Sequence, residues 1–235
     1  CPSNPVYSAS QEAALSAAAL WTDTFLFRVS VAVAFQPKAI ASSELLSDPT
    51  AAAAFMQDRA DFTAGSTALG MELDIALPHW LAHMTKLNTQ LSVSSFLGGD
   101  APNILDFSTY HCCWFVYSND VLKPELEAFP HVAHWIQNMM AFNNRTPKLI
   151  NSEAAIAIAN SSQCLPQTQL DAIIDTDLAV GDSVEVLPID YGFQATRGEL
   201  VVASPSSIVI KRHDERAGEL LVHFPRLGFQ VRRQE

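Results

Sequence analysis

The sequence is poor in the residues that disulfide scaffolds, nucleic-acid binders and membrane proteins depend on. Four cysteines in 235 residues are too few for a disulfide framework. Cys112 and Cys113 are neighbours on a helical pattern, where a bridge between them would distort the backbone, so buried free thiols are the expected state. Lysine and arginine number 14 against 25 acidic residues, which leaves no basic face for a phosphate backbone and argues against nucleic-acid binding. The imbalance is uneven, with 16 acidic and 7 basic residues up to Thr176 (net −9) and 9 acidic and 7 basic from Asp177 onward (net −2). No uninterrupted apolar run reaches the roughly 18 residues of a membrane span, and no signal peptide is recognisable. The expected setting is the cytoplasm, with no membrane partner. No glycine-rich phosphate loop follows a strand, and no serine sits on a strand-to-helix elbow.

What the sequence has is apolar bulk in two different periods. Hydrophobic residues make up 49% of the chain and charged residues 17%, enough to bury roughly 70% of the unfolded surface in a large core or in one and a half domains. From Ser8 to Asn160 the apolar residues recur at helical spacing. Ser8 and Gln11 can box the start of a helix running through Trp21, Phe25 and Val29 until Pro37 ends it. Asp48-Pro49 reads as an N-cap followed by a proline in the first turn. Pro78 starts or kinks a helix through Trp80, Leu81, Met84, Leu87 and Leu91, expected to end near Gly98-Gly99.

The next helix opens at Gly98-Gly99-Asp100-Ala101-Pro102-Asn103-Ile104-Leu105-Asp106-Phe107. Asn103 can accept from the backbone N–H three residues on, and the Asp106 carboxylate can reach back to the Asn103 N–H and sit at the positive end of the helix dipole. Phe107, Tyr110, Trp114 and Tyr117 follow at steps of three and four, while Leu105, Cys112, Cys113, Phe115 and Val116 fill other faces. A helix apolar nearly all round belongs in the middle of a bundle.

Three segments resemble glutathione transferases in the family's own order. The glycine-rich opening above is similar to the "G-G-D-x-P-[ST]-x-x-D-F" start of that family's central buried helix, with Asn103 where Ser or Thr is usual. Phe129-Pro130-His131-Val132-Ala133-His134-Trp135 resembles "Y-P-x-[LV]-x-x-W", and Ser152-Glu153-Ala154-Ala155-Ile156-Ala157-Ile158-Ala159 resembles "S-x-E-A-x-x-[IL]-A". None of these motifs is catalytic, so they speak for the fold more than for an activity.

After a polar stretch broken by Pro166 the period falls to two. Residues 183–187, 198–202, 207–211, 218–223 and 228–231 read as five short strands separated by turn signals such as Asp190-Tyr191-Gly192 and Ser204-Pro205-Ser206. The expected fold class is therefore α+β: an all-helical domain over 1–162, a linker over 163–176, and a small antiparallel SH3-like β-barrel over 177–235. The tail is similar to a domain carried after the helical domain in some bacterial proteins of the transferase family.

The resemblance implies a role and a gap. A complete glutathione transferase begins with a thioredoxin-like domain that binds the tripeptide and ionises its thiol, and no strand-helix-strand pattern precedes Asp177 here. Cys1-Pro2-Ser3-Asn4-Pro5 looks like an interdomain linker cut partway, so the chain alone is expected to be inactive, with no catalytic residue and no cofactor of its own. In the parent protein, the resemblance implies glutathione as co-substrate, a small hydrophobic electrophile as acceptor, and a homodimer. The acceptor wall would then draw on the first and central helices: Trp21, Phe25 and Arg28 on the former, and Tyr110, Trp114 and Tyr117 on the latter. The competing expectation is a non-catalytic assembly module, with the barrel docking an unidentified partner. His79 and His83 share a helical face at a spacing zinc can use, but no third ligand is evident and no metal is expected.

Overall fold

The core helices of the first unit carry buried stripes that step by three and four residues, whereas the helix Pro49–Phe62 buries none of its side chains. The computed structural model describes residues 6–7, 10–43, 48–142, 146–163 and 177–234. Ser8, with its expected capping box, and nearly all of the expected linker lie outside the described residues. The chain divides into two units, Cys1–Asp61 with Thr67–Arg145 and Phe62–Ser66 with Thr146–Glu235.

The first unit is helical. It opens with α1 (Glu12–Trp21), a π-helical turn (Thr22–Leu26) and α2 (Phe27–Ala34). This run is one continuous helix from Glu12 to Ala34, long and apolar enough to cross a membrane by length and composition alone. Its buried residues include Leu15, Ala19, Leu26, Val29 and Val33, the last three in the main core cluster. Pro37 does more than stop that helix: with its fixed φ it heads a short α3 (Pro37–Ala41). In α4 (Pro49–Phe62) the Asp48 Oδ1 accepts from the Thr50 N–H at 2.7 Å and the Ala51 N–H at 2.9 Å, and those two bonds hold its carboxyl below the usual range.

The next helix, α5 (Leu73–Leu91), starts five residues before Pro78 and ends well before Gly98. Pro78 sits in its second turn, close enough to the N-terminus that little hydrogen bonding is lost. Ala76, Trp80, Met84, Leu87 and Leu91 line its buried face, each large side chain contributing about 1.5–3 kcal/mol when fully removed from water. Helix α6 (Ile104–Tyr117) occupies the middle of the unit as its composition requires, burying Cys112, Cys113, Val116 and Tyr117 together with Asp106, Ser108 and Thr109. After the short α7 (Lys123–Glu127) comes α8 (Pro130–Met140), burying Val132, Trp135, Ile136 and Met139. Its first turn is capped from outside: Asn88 Oδ1 on α5 accepts from the His131 N–H at 2.9 Å and the Val132 N–H at 3.4 Å.

The second unit holds α9 (Ser152–Ser161) and a five-stranded antiparallel sheet. Helix α9 is capped by Asn151, whose Oδ1 accepts from the Ala154 N–H at 2.8 Å, and Ser152 is its first helical residue. The strands are β1 (Ser183–Pro188), β2 (Thr196–Ala203), β3 (Ser207–Asp214), β4 (Gly218–Pro225) and β5 (Phe229–Arg233), hydrogen-bonded in the order β4-β3-β2-β1-β5. One face packs Val184, Val186, Leu200, Ile208 and Ile210 into a core of its own. A register shift between Leu200 and Val202 marks a bulge in β2, which increases local twist. The expected closed barrel is not what forms, because the sheet stays open. Its edges are β4 and β5, and the turn through Gly228 (φ 84°) carries β5 across to β1 instead of back along β4. The Phe224 and Phe229 rings, 5.2 Å apart, pack at that corner without a ladder.

Candidate functional site: an aromatic cavity beside the central helix

The central helix is fixed by one buried carboxylate. The expected capping box is present, with Asn103 Oδ1 accepting from the Leu105 N–H at 2.9 Å and Asp106 Oδ2 accepting from the Asn103 N–H at 2.9 Å. Asp106 does considerably more. It is fully buried, and its Oδ1 accepts from the Leu97 N–H at 2.7 Å and the Trp135 indole N–H at 2.9 Å, while Oδ2 also accepts from the Gly98 N–H at 3.0 Å. One side chain thus ties the 96–99 turn, α6 and α8 together. Gly98 is required by space, since a Cβ there would lie 2.4 Å from the Ala101 carbonyl oxygen. This is a folding node, and with both oxygens saturated by donors it has no lone pair in position for a substrate proton.

Against this frame lies a cavity of about 680 Å³, within the range of pockets that take drug-sized ligands. Helix α2 contributes Phe27, Val31 and Ala34, its C-cap Phe35 follows, α3 adds Ala39 and Ile40, and α4 adds Phe55 and Arg59. The remaining wall comes from Leu69, from Phe115 on α6, and from Ser118, Asn119 and Asp120 beyond it, with Ser42 and Ser43 after α3. Phe27 and Phe115 meet edge to face at 5.9 Å, and Phe35 lies nearly parallel to Phe55 at 6.0 Å. Several polar groups at the wall are already engaged by the chain. The Ser42 hydroxyl donates to the Ala39 carbonyl at 2.9 Å, and Asn119 Oδ1 accepts from the Val121 and Leu122 N–H groups. Such a wall binds and orients an apolar body. It offers no activated nucleophile: Cys112 and Cys113 are not part of the lining, and burial pushes the Cys112 thiol up to about 12 and Cys113 well above its ordinary value.

The six residues anticipated as the acceptor wall share the helices that border the cavity but lie outside its lining. Trp21 and Phe25 stack on each other at 5.7 Å and turn toward α5, where Trp21 meets His83 at 5.2 Å and Phe25 meets His79 edge-on at 5.3 Å. Arg28 donates to the Gly70 carbonyl at 2.8 Å. On α6, Tyr110 packs edge to face on Trp135 at 6.3 Å, and the Tyr117 hydroxyl accepts from the Gln137 amide with the Lys123 ammonium 4.9 Å above its ring. Trp114 is nearly half exposed beside Phe115. The structure therefore joins Trp21 to Phe25, and it turns the tyrosines of α6 toward α8. Phe27, Phe35, Phe55 and Phe115 were not singled out from the sequence, although phenylalanines set among alanine and valine were the available signal.

The histidine pairs have ordinary surroundings. His83 sits among rings with Nε2 buried and unbonded, and burial, with a smaller contribution from Lys86, pulls its pKa below the ordinary value. His131 and His134 border a polar cleft of about 300 Å³ with Asp100 and Ser92, Ser94 and Ser95. Among the described residues no group of three or more His, Cys, Asp or Glu side chains is placed to hold a metal ion.

Comparison with known proteins gives a fold relationship across nearly the whole chain. No family model matches the sequence, and no curated protein matches it. Among solved structures, a GST-like protein from Pseudomonas syringae is similar to it with a TM-score of 0.77 and 29% sequence identity, over 99% of this chain and 72% of that one. The chain of 235 residues, helices followed by a five-stranded antiparallel sheet, has a GST-like fold.

Proposed function

We propose that this chain supplies the apolar co-substrate wall of a glutathione-conjugating protein, and that the cavity between α2, α3, α4 and α6 receives the electrophile. The observation that carries the reading is the cavity itself: about 680 Å³, walled by four phenylalanines, and bordered by the first and central helices of a GST-like fold. In this reading glutathione is bound and its thiol ionised by a thioredoxin-like half, and these 235 residues by themselves should be inactive. We further propose that the helical part, 1–162, acts as the C-terminal half of a cytoplasmic homodimer. In this reading the sheet is a rolled, SH3-like module left open between β4 and β5. Trp21, Phe25, Arg28, Tyr110, Trp114 and Tyr117 form the alternative wall, available if the electrophile approaches from outside the cavity.

The test uses N-phenyl-1-naphthylamine, a neutral dye that brightens in apolar surroundings. The chain should bind it saturably, and a chlorodinitrobenzene-type electrophile should compete. Phe27→Ser/Phe115→Ser should weaken binding at least tenfold, while Trp21→Ser/Phe25→Ser should leave it within twofold, with circular dichroism confirming that both variants fold. The reverse pattern would move the wall to the Trp21 face. Absence of saturable dye binding would refute the cavity as a co-substrate site, and saturable micromolar binding of glutathione by calorimetry would refute the division of labour.

A further inference from the structure

The cavity wall is almost wholly apolar, yet it carries one guanidinium. Among the described lining residues Arg59 is the single cation and Asp120 the single anion, in a chain of net charge −11. Arg59 is presented from α4, one turn beyond Phe55, and its guanidinium lies 6.0 Å from the Phe55 ring centroid. The Phe55 ring that stacks on Phe35 therefore also holds the cation near it. The carboxylate of Asp58, its neighbour in sequence, accepts from Arg59 Nε at 2.9 Å. Both side chains of that pair are more than half exposed (51% and 65%). The Arg59 side chain is thus held by the protein and still half open to water, so a ligand anion held against the apolar wall can add a charge-assisted hydrogen bond to the guanidinium.

We propose that Arg59 is a specificity residue that selects co-substrates or ligands bearing an anionic group, a carboxylate or sulfonate on an aromatic or alkyl body. The body lies among Phe27, Phe35, Phe55 and Phe115, and the anion is seated at the Arg59 end, away from Asp120. This rests on the reading of the cavity as the apolar binding wall. These two charges in its lining set the polarity of the occupant: the guanidinium attracts an anionic head, and the Asp120 carboxylate repels one.

Two dyes with the same aromatic body separate the two claims. 8-Anilinonaphthalene-1-sulfonate is N-phenyl-1-naphthylamine with a sulfonate added. Both are titrated into the full chain and into Arg59→Gln, Arg59→Lys and Asp120→Asn. Arg59→Gln should weaken the sulfonate about tenfold, the scale of one charge-assisted hydrogen bond, and leave the neutral dye within twofold. Arg59→Lys should restore part of the sulfonate affinity, and Asp120→Asn should strengthen it. The effect should shrink as salt is raised. If Arg59→Gln weakens both dyes alike, or neither, the assignment of Arg59 is overturned while the cavity stands. If neither dye binds the parent chain, the cavity reading fails first.

Discussion

Replacing Asp106 should cost far more than an ordinary helix cap, and the structure sets the size. A helix N-cap change typically costs about 1 kcal/mol, and Asn103→Ala should lose about that much. Asp106→Ala removes the acceptor from four donors at once: the part-buried N–H groups of Leu97, Gly98 and Asn103 and the buried Trp135 indole N–H. A buried donor left unpaired costs about 1–3 kcal/mol. Water entering the vacated space can satisfy some of the four, and with two restored the loss is about 4 kcal/mol including the dipole interaction. That is a large part of the roughly 5–15 kcal/mol that holds a domain together. Asp106→Asn is a sharper probe of the same point. Each carboxylate oxygen accepts from two donors, so whichever way the amide is turned its NH2 faces two N–H groups, and a loss of about 2–3 kcal/mol is expected. The assay is urea unfolding followed by far-UV circular dichroism and by tryptophan fluorescence, comparing midpoints at equal slope. An Asp106→Ala loss within about 1 kcal/mol of the parent, or no greater than that of Asn103→Ala, would refute the reasoning, since it would mean the non-local bonds add nothing to the cap.

Three further outcomes are expected. Gly98→Ala should destabilise the helical unit by about 2 kcal/mol or more, because its Cβ would overlap the Ala101 carbonyl oxygen; equal unfolding midpoints would contradict this. Cys112 and Cys113 should escape iodoacetamide at pH 8 in the native state and be labelled after unfolding, as mass spectrometry of peptides can read: with a pKa of about 12, only roughly one Cys112 in ten thousand is thiolate at that pH. Glu185 sits between Arg232, the larger influence, and Arg197, which hold its carboxyl below the ordinary range. A carboxyl depressed in the folded state adds stability above its unfolded pKa, and that stability is lost as pH falls through the folded value. The melting temperature of Glu185→Gln should therefore depend less on acid than that of the parent, and identical acid profiles would count against the ion pairs.

The parts of this structure that could be read from sequence are those set by neighbours in sequence. The Asn103–Asp106 box and the Asp48 cap depend on groups two or three residues apart, and both form where expected. The other three bonds to Asp106 arrive from Leu97, Gly98 and Trp135, and no local pattern announces them. The start of α5 at Leu73 was hidden because Pro78 reads as a boundary when its tolerance within the early turns is not weighed. The five strands follow from alternation, but closure does not, since it depends on where a turn sends β5. The cavity escaped for a geometric reason. Helical spacing groups Trp21 with Phe25 and Tyr110 with Trp114, yet a periodicity names a face without naming its neighbour. Those faces meet α5 and α8, and it is Phe27 and Phe115, round the same two helices, that face each other.

The short segment Phe62–Ser66 has a consequence for how the chain could ever be divided. It lies in sequence between α4 and α5, yet it is part of the sheet unit: the Phe62 carbonyl accepts from the Gly192 N–H at 3.0 Å, the Phe62 ring meets Tyr191 at 5.5 Å, and the Ser66 hydroxyl donates to the Asp190 carbonyl. The helical unit is in turn interrupted by these residues. The two units are therefore interleaved, and a protease cleaving once after residue 145 would not release two intact pieces. The sheet piece would lose the strand-end partners of its 190–192 turn, and the helical piece would carry an uncovered phenylalanine at the end of α4.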